Sequence, residues 1–145
     1  MQRRVFLAGL AVTVLPCAAG ATPDSMAAAI NEVTKGAALQ PGRVKLDIPP
    51  LVENGNAVPL TVTVESPMSE ADHVKAIHVF NEKNPQPHVF NAWLSPRNGR
   101  ATISTRIKLA DAQKVVAIAE TSNGQFFTAS ADVIVTIAAC IEDLT

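Results

Sequence analysis

The chain has 145 residues, a formal net charge of -1 and 48% hydrophobic residues. That length suits one domain, and the near-neutral balance offers neither a basic nucleic-acid footprint nor a polybasic membrane patch. Aromatic residues are scarce, with five Phe, one Trp and no Tyr, so the expected core is built of Val, Ile, Leu and Ala. Ten prolines in a Val- and Thr-rich chain favour short strands and loops over long helices.

The N-terminus reads as an export leader over residues 1–21. Met1-Gln2-Arg3-Arg4 is basic, residues 5–15 are uncharged and mostly apolar, and Ala19-Gly20-Ala21 is a small-residue cleavage site before Thr22. The apolar span is too short for a membrane helix. Arg3-Arg4 followed by Val5-Phe6-Leu7 resembles a twin-arginine export signal, although an ordinary Sec leader needs basic residues here too. Pro16 and Val14 fit a lipoprotein box around Cys17 poorly. The expected location is the periplasm, with no membrane anchor.

Residues 26–35 are rich in Ala, Met and Ile and predict a short N-terminal helix, capped by Asp24 or Ser25 and left through Gly36. It is expected to pack across the body or onto a partner. Gln40-Pro41-Gly42 is a turn signal, and residues 43–48 alternate polar and apolar as a half-buried strand does. Pro49-Pro50 ends that strand, and Asn54-Gly55 makes a turn suited to positive φ. Residues 58–65 alternate again, with Pro59 suggesting an edge or first-residue position.

Residues 69–72 read as a loop or single helical turn. Residues 74–80, 88–94 and 101–109 are three more strands, with Arg97-Asn98-Gly99-Arg100 read as a hairpin turn between the last two. Residues 115–120 and 126–137 flank Asn123-Gly124, a further hairpin signal. About seven short strands without a βαβ rhythm predict an all-β fold, an immunoglobulin-like antiparallel β-sandwich, with a short N-terminal helix and a C-terminal arm. The divisions expected are the leader (1–21), the sandwich (22–137) and the arm (138–145).

Few residues offer chemistry. On a strand, the spacing of His73 and His78 puts them on opposite faces, and no ligand spacing marks a metal site. There is no nucleophile elbow and no glycine-rich phosphate loop, so neither hydrolase nor nucleotide chemistry has support. No cofactor is implied. The tail Ala138-Ala139-Cys140-Ile141-Glu142-Asp143-Leu144-Thr145 stands apart. Cys17 leaves with the leader, so Cys140 is the one thiol of the mature chain. A lone thiol in an exported chain is a reactive group, an intermolecular partner or a buried structural cysteine. Its position on a terminal segment favours the reactive group.

Val44-Lys45-Leu46-Asp47-Ile48-Pro49, Glu53-Asn54-Gly55-Asn56 with Val58-Pro59, Ser66-Pro67-Met68, His78-Val79-Phe80 with Asn84-Pro85, Ser104-Thr105-Arg106-Ile107 and Val115-Val116-Ala117 together resemble the SoxY sulfur-oxidation carrier family. The resemblance implies an Ig-like sandwich paired with a SoxZ-like protein as a heterodimer. It also implies an arm whose cysteine holds sulfur intermediates, such as those from thiosulfate, while periplasmic sulfur-oxidising enzymes act on them. The chain itself would be no enzyme.

The family's arm reads Gly-Gly-Cys-Gly-Gly, whereas this one reads Ala138-Ala139-Cys140-Ile141-Glu142 and resembles a SoxY-related subgroup. Cys140 is the position that carries over as the substrate-carrying residue, and Ala138, Ala139, Ile141 and Glu142 are expected to shape arm recognition. Ala and Ile restrict a backbone that glycine leaves free. Glu142 and Asp143 disfavour both a thiolate and an anionic adduct beside them. The alternative is an Ig-like periplasmic adaptor whose tail cysteine is structural or forms a disulfide with a partner.

Overall fold

The computed structural model describes residues 20–137. The chain runs α1 (Pro23–Thr34), β1 (Leu39–Pro41), β2 (Val44–Asp47), β3 (Leu51–Asn54), β4 (Val58–Val64), β5 (Val74–Asn81), β6 (His88–Trp93), a 3-10 helix (Pro96–Asn98), β7 (Ala101–Ile107), β8 (Gln113–Thr121) and β9 (Phe126–Ile137). Two sheets face each other. One has the order β1-β9-β8-β5-β6, with β3 also on β9, and the other has the order β2-β4-β7. The Ig-like β-sandwich read from the alternation is therefore the fold.

The alternation does its work in β4. Val58, Leu60, Val62 and Val64 are buried while the residues between them are not. They meet Ile77, Val79, Val115, Ala117 and Val133 from the facing sheet in one core. Burying an aliphatic side chain contributes roughly 1.5–3 kcal/mol, so this inter-sheet layer dominates the stability. β5 and β8 are buried on both faces, because α1 covers the outside of their sheet. Met26, Ala29, Ile30 and Val33 of the helix pack on Phe80, Val116, Ile118 and Phe126. Their spacing of three and four residues is one helical face.

Several local expectations need correction. The helix begins at Pro23, three residues before its expected start. Thr22, not Asp24 or Ser25, is the cap: its hydroxyl accepts from the Ser25 amide at 3.1 Å, and Ser25 Oγ accepts from the Thr22 amide at 2.7 Å. Lys35 takes the left-handed exit at φ 53 before Gly36 follows at φ 80. β1 overlaps the turn expected at Gln40-Pro41-Gly42, and β3 runs into the turn expected at Asn54-Gly55. Both pair parallel with β9, Leu39 opposite Phe126 and Leu51 opposite Ile134.

The segment around Arg97 is no hairpin. β6 pairs with β5 and β7 with β4, so the 3-10 helix carries the chain from one sheet to the other. Gly55 turns the chain without the positive φ seen at Gly36, Gly42, Gly99 and Gly124. Asn123-Gly124 does close the β8–β9 hairpin, with Gly124 at φ 76. β4 is the middle strand of its sheet, but β2 covers only Thr61 to Val64 of it, so Pro59 has β7 alone beside it. A residue without an amide proton fits such a local edge.

Candidate functional site at the root of the arm

Ala138, Ala139, Cys140, Ile141 and Glu142 lie outside the described residues. The structure describes the base from which they continue, the last turnings of β9. β3 lies parallel to this end of the strand, with Val52 opposite Val135 and Asn54 opposite Ile137. The Ile137 carbonyl accepts from the Gly55 amide at 2.9 Å, and the Gly55 carbonyl accepts from the Leu109 amide at 2.8 Å. Thr136 Oγ1 donates to the Glu53 carbonyl at 3.1 Å, and the Ile134 amide to Pro50 at 2.8 Å. β9 is thus fastened up to its final residue by β3 and the loops that flank β3.

Cys140 follows Ile137 by three residues, a span of at most about 10 Å. Leu51, Ile134 and Ile137 are exposed apolar side chains at this end, 58%, 58% and 64% accessible. Nearby, a polar network stiffens the loops that share the same end of the sandwich. Asn84 Nδ2 donates to the Lys108 carbonyl at 2.8 Å, while its Oδ1 accepts from the Ala110 amide at 3.0 Å and from Gln113 Nε2 at 2.9 Å. Buried Asn81 holds the Gln86 carbonyl and the Asn84 amide. Sequence reasoning missed this anchoring because β3 is four residues long and sits between Pro49-Pro50 and an Asn-Gly turn.

The histidines do not converge on the arm root. His73 precedes β5, and its Nδ1 lies 3.0 Å from the Ser69 carbonyl. His88 packs against Phe80 with the rings tilted by 51° and their centroids 4.7 Å apart. His78 is buried on the outer side of β5. Its Nδ1 lies 2.7 Å from Asn91 Oδ1, its Nε2 3.8 Å from Glu120 Oε2, and Trp93 meets it edge-on at 5.7 Å. Lys75 Nζ pairs with Glu120 Oε1 at 3.0 Å. Among the described residues, no group of three or more His, Cys, Asp or Glu could hold a metal ion. No described helix is long and apolar enough to cross a membrane.

Known structures share this architecture. The sulfur carrier protein SoxY from Chlorobium limicola f thiosulfatophilum is 25% identical over 80% of this chain and 100% of its own, with a TM-score of 0.67. A superoxide reductase (neelaredoxin) from Ignicoccus hospitalis is 16% identical over 65% of this chain and 80% of its own, with a TM-score of 0.58. A superoxide reductase from Nanoarchaeum equitans is 14% identical over 66% of this chain and 100% of its own, with a TM-score of 0.51. The two reductases share the fold alone. No curated protein matches the chain. The family model for the sulfur oxidation protein SoxY matches residues 30–140, a stretch that ends on Cys140. The chain belongs to the SoxY family.

Proposed function

We propose that the protein is a periplasmic sulfur-compound carrier in sulfur oxidation, not an enzyme, and that Cys140 is the attachment point. The observation that carries this reading is the family match over residues 30–140, whose last residue is that cysteine. The likeness to a sulfur carrier protein from Chlorobium limicola f thiosulfatophilum supports it. The leader over residues 1–21 delivers the chain to the periplasm, by the twin-arginine or the Sec route. Residues 22–137 are the body, and residues 138–145 are the arm. A SoxZ-like protein is the expected partner in a heterodimer, and sulfur-oxidising enzymes visit the arm.

The chemistry required is thiolate chemistry. Joining the Cys140 thiolate to a thiosulfate-type dianion forms one S–S bond and releases two electrons, which a partner redox enzyme must accept. The carrier contributes the sulfur atom, its position and its accessibility. Ala138, Ala139, Ile141 and Glu142 set which enzyme channel the arm fits, because each adds bulk or charge where glycine would add neither.

Accessibility makes the proposal testable. Iodoacetamide should alkylate Cys140 of the native mature chain at nearly the rate found in denaturant. A native thiol that resists alkylation would contradict the carrier and favour a structural cysteine.

A further inference from the structure

The single tryptophan of the chain stands 73% exposed, at the end of β6. It is nonetheless held in place, edge-on against the buried His78 ring at 5.7 Å. β6 is the outermost strand of its sheet, paired with β5 on one side and with nothing on the other among the described residues. Open edges invite pairing with another chain, and proteins guard them with charged residues, proline or bulges.

The other outermost strands are guarded in that way. β1 carries Pro41, β2 carries Lys45 and Asp47, β3 carries Glu53 and β7 carries Arg106. β6 reads His-Val-Phe-Asn-Ala-Trp, with no proline and no Asp, Glu, Lys or Arg. Val89 is a bulge, where the register shifts between Val79 and Phe80, and from Phe90 to Trp93 the side chains follow the two faces of the sandwich. Phe90 and Ala92 lie opposite Val79 and Ile77 of the core, and Asn91 and Trp93 lie opposite His78 and Ala76 on the outer face. A strand added along Phe90 to Trp93 would extend both the core layer and the outer face.

Charge selects the occupant. The chain leaves β6 through Arg97 in the 3-10 helix and Arg100 just before β7, and both are exposed. Neither takes part in an ion pair among the described residues, whereas Glu120 nearby is already paired with Lys75. Position suits a dock as well. The register aligns Trp93 with Ala76, Glu120 and Phe126, so Trp93 lies level with the first residue of β9. Ile137 is the last residue of that strand, about 35 Å further along at the usual rise of a strand. A partner held at Trp93 would leave the arm end uncovered.

We infer that the free edge of β6 is a docking site for a partner polypeptide. The partner adds an extended, alternately apolar strand, packs an apolar side chain on Trp93, and presents acidic residues to Arg97 and Arg100. The inference does not depend on what Cys140 carries.

The test uses the mature chain with Cys140→Ser, so that thiol chemistry plays no part. One synthetic peptide alternates valine and threonine and has two glutamates at each end; a second has lysines in place of the glutamates. Trp93 is the only tryptophan, so its fluorescence reads this edge alone. The glutamate peptide should shift the emission to the blue and lower acrylamide quenching several-fold, and the lysine peptide should not. The double variant Arg97→Glu and Arg100→Glu should reverse that preference. No change with either peptide at millimolar concentration, or an equal response to both, would overturn the inference. So would a blue shift on concentrating the protein alone, which would give the edge to a second copy of this chain.

Discussion

Leu60 shows how single residues hold this sandwich. It points from the middle strand of the smaller sheet into the inter-sheet core, and its neighbours Val58 and Val62 are fully buried. Leu60→Ala should lower stability by about 2–5 kcal/mol, because the truncated side chain leaves a cavity that a two-sided layer closes poorly. Urea unfolding followed by circular dichroism measures this, and a loss below about 1 kcal/mol would mean that the core collapses around the gap. Asn81 is a polar counterpart. It is fully buried, and its amide satisfies the Gln86 carbonyl and the Asn84 amide. Asn81→Ala should cost about 1–3 kcal/mol, since those two groups lose their partner. The same urea titration reads it. Arg43 combines three contacts: Nε to the Glu65 carbonyl at 2.9 Å, Nη2 to Asp72 at 3.8 Å, and the guanidinium 4.8 Å from the centre of the Phe127 ring.

Elements differ in how plainly their residues announce them. β4 was legible because its apolar residues recur at every second position, which is the period of a strand with one face buried. β5 and β8 carry nearly continuous apolar runs, and the physical reason is α1 lying across their outer face. β1 and β3 were not legible. Each has three or four residues, and each gains its place only by lying parallel to the long strand β9, a non-local pairing that no local pattern encodes. Arg97-Asn98-Gly99-Arg100 has the composition of a hairpin turn, yet it crosses between sheets, because turn residues specify a reversal and not its partner strand. The fastening of β9 at Gly55 was not legible either, because it joins the end of the strand to a loop more than eighty residues earlier.

Amide protons of β1 and β3 should exchange with solvent well before those of β5 and β8, because the short strands sit at the sheet margin and the long ones are covered on both faces. Native-state hydrogen exchange would show it, and equal protection would contradict it. Gly124→Ala should cost about 1 kcal/mol, since the β8–β9 turn holds that residue at φ 76. Thermal melting would read it.

Taken whole, the molecule separates its two ends. The loops bearing Asn84, Gly55 and Leu109 brace the end from which the arm continues, and Trp93 with its two arginines stands at the other. On the proposed reading, a partner bound along β6 stays in place while enzymes handle the sulfur at the opposite end. The central claim is that Cys140 carries that sulfur. The most direct measurement is intact mass of the mature chain isolated from its native periplasm, with and without reductant. The account predicts added masses of sulfur or thiosulfonate that map to Cys140, disappear with reductant and are missing in Cys140→Ser. A chain of unmodified mass whose thiol resists alkylation in the native fold would contradict it.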